Sequence, residues 1–134
     1  MPDLREKCER LAERLPPDEG RAWWFQSHAD GSPAELFVNL KPYEGSDWLP
    51  SKTIPIPAPD APLHEHLAFV GRIATALPEG WRLVQVEDED AGYGIEPAWV
   101  VRFWGRKDGT KVGRAPSPTE AAVDAALAVL EETT

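Results

Sequence analysis

The sequence has almost no cysteine, and this scarcity excludes several kinds of protein. Cys8, the single cysteine among 134 residues, can form no internal disulfide and cannot supply a cysteine-rich zinc site. An unpaired thiol is typical of a reducing compartment, so we expect a cytoplasmic protein. No apolar run approaches the roughly 18 residues that cross a bilayer, and the first residues lack the order of a signal peptide. We therefore expect no membrane association.

Positive charge is also scarce. There are 14 Lys and Arg side chains against 23 Asp and Glu, which gives a net charge of −9. Such a charge repels phosphate groups, so we expect no direct binding to nucleic acid. The charge is uneven along the chain, because residues 30–101 carry a net −8 whereas residues 102–114 carry +4.

Histidine is rare, and its placement does not favour catalysis. His64 and His66 lie two residues apart, so on a helix their side chains diverge and cannot hold one metal ion. His28 with Asp30 leaves a small hydrolase as a minority alternative. No glycine-rich loop precedes a helix in the way that phosphate binding requires. The sequence predicts no catalytic residue, no metal site and no cofactor.

Three helices are predicted from their end signals and apolar periodicity. Asp3 with Glu6 forms a capping box for the first helix, and Pro16 with Pro17 ends it. Ser117 followed by Pro118 opens a third helix with a buried alanine-rich stripe. A second helix is predicted over 63–77, with a broad apolar face that contains Leu63, Leu67, Val70, Ala74 and Leu77, with Phe69 and Ile73 beside them.

Alternating and β-branched residues predict strands near 22–27, 35–40, 81–86, 98–104 and 110–114. Six of the 14 prolines lie between Pro42 and Pro62, so residues 43–62 are predicted to form an extended, proline-rich arm or an edge strand. The order helix, two strands, arm, helix, three strands, helix predicts one α+β domain over residues 1–134. We expect an antiparallel sheet of about four to five strands with three helices packed on its face or faces.

The half from Leu63 to Leu130 resembles the phage ABA-sandwich family. The shared pieces are Gly80-Trp81 entering a strand, Trp99-Val100 within a strand, and the run from Pro118 to Leu127 that opens the last helix. These motifs are structural, and the family supplies no catalytic residues. The resemblance implies a bacteriophage or prophage accessory protein.

Two surface features are candidates for partner binding. One is the acidic region formed by Glu87, Asp88, Glu89, Asp90 and Glu96, which could imitate nucleic-acid phosphates toward a basic partner, although acidity that serves only solubility is the alternative. The other is the set Trp24, Trp48 and Trp104, which an additional layer could instead bury.

We therefore predict a small acidic, non-enzymatic protein that occludes a protein partner. A basic nucleic-acid-binding complex of host defence, such as a CRISPR-type nuclease, is the first candidate partner. The alternative is a phage assembly accessory or a homo-oligomer without inhibitory activity.

Overall fold

The computed structural model describes residues 3–18, 21–38, 52–89, 98–107 and 109–132. These residues form three helices and six strands of an α+β protein, which confirms the predicted fold class. In chain order the elements are α1 (Leu4–Arg14), β1 (Trp24–Ser27), β2 (Pro33–Val38), β3 (Lys52–Pro55), α2 (Leu63–Ala76), β4 (Trp81–Glu89), β5 (Ala98–Gly105), β6 (Gly109–Ala115) and α3 (Pro118–Glu132). None of the described helices is long and apolar enough to cross a membrane.

The first and last helices begin where their sequences predict. The Asp3 carboxylate accepts a hydrogen bond from the Glu6 backbone N–H at 2.9 Å, and the Ser117 hydroxyl accepts one from the Glu120 N–H at 3.2 Å. Each bond satisfies one of the N–H groups that a helix start leaves without a partner. Pro62 precedes α2 and makes no such side-chain bond.

The strands form two separate three-stranded sheets. The prediction of one sheet of four to five strands is wrong for the described residues, because β1-β2-β3 and β4-β5-β6 are each antiparallel and are not joined to each other. The additional strand, β3, lies inside the segment predicted as an arm. It pairs with β2 at an edge of its sheet, where the missing N–H of Pro55 costs no interior ladder bond. Residues 43–51 of the predicted arm lie outside the described residues.

The helices lie between the two sheets. Helix α1 packs on β1 and β2, α3 packs on β5 and β6, and α2 contacts β3 and β4. Both α1 and α2 also pack against α3. Each sheet therefore turns one face toward the helical layer and its other face outward, on opposite sides of the molecule.

Helix α3 is the centre of the core. Its residues from Ala121 to Val123, from Ala125 to Leu127, and at Val129 and Leu130 are buried. A helix that is apolar on nearly all sides must be surrounded by other elements. The backbone of β6 comes very close to it, because a Cβ added at Gly113 would lie 1.9 Å from the Ala121 carbonyl oxygen.

Acidic residues of α3 form ion pairs with basic residues of α1. Lys7 Nζ lies 2.9 Å from an Asp124 carboxylate oxygen and 3.4 Å from one of Glu120, and Arg10 pairs with Glu131. Burial acts to lower the pKa of Lys7, but the two neighbouring carboxylates outweigh it, so the pKa is raised. These ion pairs join α1 to α3 beside their apolar contact.

Helix α2 buries most of its predicted face, including Val70 and Leu77, but not the N-terminal part of it. Leu63 is 49% exposed and Leu67 is 41% exposed, whereas Phe69, Ile73 and the unpredicted His66 are buried. His66 is accommodated because its Nδ1 lies 2.7 Å from the hydroxyl oxygen of Thr119, which is also buried. The hydrogen bond offsets the cost of removing both polar groups from water.

Candidate functional site

The outward face of the sheet β4-β5-β6 is the candidate site, and we call it the outer face. Successive side chains of a strand point to opposite sides. Phe103 and Val101 of β5 belong to the hydrophobic core beside α3, so Arg102 and Trp104 point away from it. The described helices all lie on the other side of this sheet. Of the β5 residues that point away from them, Arg102 and Trp104 are half-buried, and Val100 is fully buried.

The strand register arranges the outer face in three rows. Opposite residues from β4, β5 and β6 are Arg82, Trp104 and Thr110 in the first row, Gln85, Arg102 and Val112 in the second, and Glu87, Val100 and Arg114 in the third. Arg82, Arg102 and Arg114 therefore occupy successive rows on successive strands. They form a diagonal of three arginines across the face, which we call the arginine diagonal.

Trp104 is held in place at one end of the arginine diagonal. The guanidinium carbon of Arg82 lies 4.8 Å from the centre of the Trp104 ring, which is a cation–π contact. Such contacts contribute about 0.5–1 kcal/mol at exposed sites. Because Trp104 is only half-buried, part of its ring remains available to a partner.

Apolar side chains are exposed beside the arginines. Val112 on β6 is 42% exposed, and Val84 on β4 is 49% exposed. Val84 lies at a β-bulge, since the register between β4 and β5 shifts between Leu83 and Gln85. A bulge changes the direction of a side chain, and this one places an exposed valine on an edge strand.

The structure separates the tryptophans predicted to bind a partner. Trp24 lies on β1, directly opposite Phe37, and is 58% exposed. It belongs to the other sheet, so Trp24 and Trp104 face opposite sides of the molecule and cannot share one compact interface. The buried member of the adjacent pair is Trp23, whose indole N–H donates to the Pro16 carbonyl at 3.2 Å. Trp48 lies outside the described residues.

The predicted acidic site is described only in part. Glu87 and Asp88 are exposed on β4, where Glu87 lies opposite Val100 on the outer face and Asp88 lies opposite Trp99 on the other face. Glu89 is the last residue of β4. Asp90 and Glu96 lie outside the described residues. The strand geometry thus places Glu87 on the same face as Trp104 and the arginine diagonal.

The residues considered as reactive or catalytic groups, Cys8 and Asp30, do not lie on the outer face. Cys8 is fully buried in α1, and burial together with the charges of Glu120 and Glu9 raises the pKa of its thiol to about 12. Asp30 accepts hydrogen bonds from both the backbone N–H and the hydroxyl of Ser32, which lower its pKa and close the β1–β2 turn. Among the described residues no group of three His, Cys, Asp or Glu side chains could hold a metal ion.

Sequence reasoning missed two residues of the outer face, Arg82 and Val112, and the exposed Val84 at the β4 bulge. Arg82 lies outside the basic run 102–114, and only the strand register brings it to Trp104. Val84 and Val112 were expected within ordinary strands, and their exposure depends on the bulge and on which face the helices cover. Alternation along β5 did predict that Arg102 and Trp104 share a face.

Comparisons of this chain with family models, with curated proteins and with solved structures find no match.

Proposed function

We propose that this protein is a non-enzymatic binding protein that occludes a protein partner with its outer face. The observation that carries the proposal is the placement of the described helices behind the sheet β4-β5-β6, which leaves Trp104, Val84 and Val112 in contact with solvent. Partly exposed aromatic side chains with arginine neighbours are typical of the residues that dominate protein interfaces.

The resemblance of the chain from Leu63 to Leu130 to a phage family supports a host partner. We therefore propose a host defence complex that handles nucleic acid as the first class of partner to test. A protein that covers a working surface of such a complex needs no catalytic group of its own. The burial of Cys8 and the structural hydrogen bonds of Asp30 support this non-enzymatic assignment.

Trp104 and Trp24, which lie on the outward faces of the two different sheets, provide a matched test. Tagged wild-type protein, Trp104→Ala and Trp24→Ala are used to capture proteins from a bacterial host lysate, and the captured proteins are quantified by mass spectrometry. We expect Trp104→Ala to reduce capture of the partner at least about tenfold, as an interface hot spot would, and Trp24→Ala to leave it unchanged. Both substitutions remove one indole from a strand, and thermal unfolding checks that both variants remain folded.

The identity of the captured proteins also distinguishes occlusion of a partner from the alternative functions. Recovery of a nuclease or surveillance complex that depends on Trp104 supports occlusion. Recovery of capsid or tail proteins favours an assembly accessory, and sedimentation of the purified protein as a stable multimer favours a homo-oligomer. Capture that is equal for wild type and Trp104→Ala contradicts the assignment of the outer face.

A further inference from the structure

We infer that a groove between α1 and the edge of β1 binds an extended, basic polypeptide segment, which adds a strand to the sheet β1-β2-β3. We call it the edge groove. Its volume is about 690 Å³, and it is lined by Glu9, Ala12 and Glu13 of α1 and by Trp24 and Phe25 of β1. The edge groove and the outer face belong to different sheets, so its occupant is a second polypeptide and not the segment that the outer face covers.

The backbone of β2 shows which groups of β1 are already paired. Successive residues of a strand point their N–H and C=O groups toward alternate neighbours. The Ile56 N–H donates to the Ala34 carbonyl at 2.9 Å, so Ala34 points its carbonyl toward the β3 side. Glu35 and Phe37 therefore point their backbone groups the other way, toward β1.

The same alternation leaves backbone groups of β1 available for a further strand. Trp24 and Gln26 lie opposite the two β2 residues that point toward β1, so they use their N–H and C=O groups in that pairing. Phe25 lies between them and points its N–H and C=O away from β2. Among the described residues neither group of Phe25 has a hydrogen-bond partner. An added strand would satisfy both groups, which is how sheet edges recognise extended peptides.

Negative charge dominates the edge groove. Glu9 and Glu13 lie one helical turn apart on α1, and Arg14 is the one base among the described lining residues. Glu13 has no ion pair among the described residues. Helix α1 ends beside the groove at Pro16, which has no N–H to donate to the last carbonyls, so the helix end adds partial negative charge. Ammonium or guanidinium groups of an occupant complement these charges.

The side chains beside the edge indicate how a bound segment lies. Phe25 packs against the core opposite the fully buried Leu36, whereas Trp24 points outward and is 58% exposed. Successive side chains of an added strand alternate between these two sides. On the Phe25 side, a lysine or arginine lays its methylene stem beside the small Ala12 and reaches Glu13. On the outward side, an apolar side chain contacts Trp24.

A second copy of this chain is a poorer occupant. Two-fold pairing of β1 with the same strand of another protomer would bring Glu9 and Glu13 of both copies to one side of the joined sheet. Each protomer also carries a net charge of −9. Like charges brought together at an interface are strongly unfavourable, so the edge groove favours a partner of opposite charge.

Fluorescence anisotropy of labelled peptides at about 150 mM salt measures this binding. The probe is a synthetic peptide of about eight residues in which lysine alternates with valine, a typical strand length. The control is the same peptide with glutamate in place of lysine. We expect the lysine peptide to bind with Kd below about 100 µM and the glutamate peptide to bind at least about tenfold more weakly.

Backbone methylation distinguishes strand addition from attraction by charge alone. Alternate residues of an extended peptide point their N–H groups to opposite edges, so N-methylation of every lysine blocks one edge and N-methylation of every valine blocks the other. Both methylated peptides keep the same charge. We expect one of them to bind at least about tenfold more weakly than the unmethylated peptide and the other to change less than about threefold. Equal binding of the two methylated peptides would overturn the inference.

Two glutamate variants locate the site. Glu13→Gln removes a charge from the edge groove, and Glu65→Gln removes the same charge from the exposed first turn of α2. We expect Glu13→Gln to weaken binding of the lysine peptide about three- to fivefold and Glu65→Gln to change it less than about 1.5-fold. Equal effects of the two variants would show attraction by net charge alone and contradict binding in the edge groove.

The remaining outcomes assign the groove to another occupant. Tighter binding of the glutamate peptide would indicate an acidic segment, and sedimentation of the purified protein as a dimer that Glu13→Gln stabilises would indicate a second copy. Either result overturns the inference. The proposed function is tested separately, because capture of a partner that depends on Trp104 involves the other sheet.

Discussion

Replacing Gly113 by alanine should strongly destabilise the fold. The added Cβ would lie 1.9 Å from the Ala121 carbonyl oxygen and 2.6 Å from the Ala125 nitrogen. Both are backbone atoms of α3, so no side-chain rotation relieves the clash. To restore an ordinary contact of 3.4 Å, α3 and β6 must separate by about 1.5 Å.

That separation loosens the closest packing in the core. Inserting one carbon into a well-packed site typically costs about 1–3 kcal/mol, and a gap of this width forfeits a large part of the dispersion attraction between the surfaces it opens. We therefore expect Gly113→Ala to lower the free energy of unfolding by about 3 kcal/mol. For a domain of this size the corresponding fall in Tm is about 10 °C.

Urea denaturation followed by tryptophan fluorescence measures the change, and Gly71→Ala is the matched control. Gly71 lies within α2, and a Cβ there would meet no heavy atom within 4 Å. The same substitution should therefore stabilise the protein by up to about 1 kcal/mol, through helix propensity and reduced freedom of the unfolded chain. A loss below about 1 kcal/mol for Gly113→Ala, or the same sign for both variants, would refute the close approach of α3 to β6.

Four other predictions concern a helix cap, a buried thiol, an ion-paired lysine and the acidic region. Ser117→Ala should lower the free energy of unfolding by about 0.5–2 kcal/mol by removing the cap of α3; unchanged thermal unfolding would contradict that cap. Cys8, with a pKa raised to about 12 and no exposed surface, should resist alkylation at neutral pH in the folded protein and react on unfolding. The pKa of Lys7 is raised above its usual 10.5, so its ion pairs should stabilise the folded protein fully below pH 10.5 and lose this effect as the pH rises through the pKa of the folded state. In denaturation measurements at increasing pH, Lys7→Gln should therefore reduce the alkaline fall in the free energy of unfolding. Neutralising all four acids from Glu87 to Asp90 should slow association with a basic partner, seen by surface plasmon resonance at two salt concentrations, whereas unaltered kinetics would exclude the nucleic-acid-mimic mechanism.

The sequence predicted the starts of α1 and α3, but it predicted the buried face of α2 only in part. Asp3 and Ser117 determine their helix starts through bonds to residues three positions away, so a short stretch of sequence contains the whole signal. The buried face of α2 depends on distant elements. It contains apolar residues around more than one side, and only the packing of β3, β4 and α3 decides that His66 is buried and Leu67 is exposed.

The number of sheets could not be predicted for a similar reason. Alternation identifies a strand and its two faces, but it does not say which strands pair across the chain. The proline-rich segment obscured β3, because Pro55 is compatible with either an arm or an edge strand. For the same reason the contact between Arg82 and Trp104 in the candidate site could not be predicted, since only the register between β4 and β5 brings these two residues together.

The central position of α3 determines when the protein can fold during synthesis. Every other described element precedes α3 in the chain, yet α1, α2, β5 and β6 all pack against it. The ion pair between Lys7 of α1 and Glu120 of α3, for example, joins residues that are 113 positions apart, so it cannot form until α3 has been synthesised. Contacts between such distant residues slow folding and keep apolar surface exposed for longer. Until α3 has been synthesised, the nascent chain lacks the central helix of its core, so this interval is when it is most exposed to chaperones, proteases and aggregation.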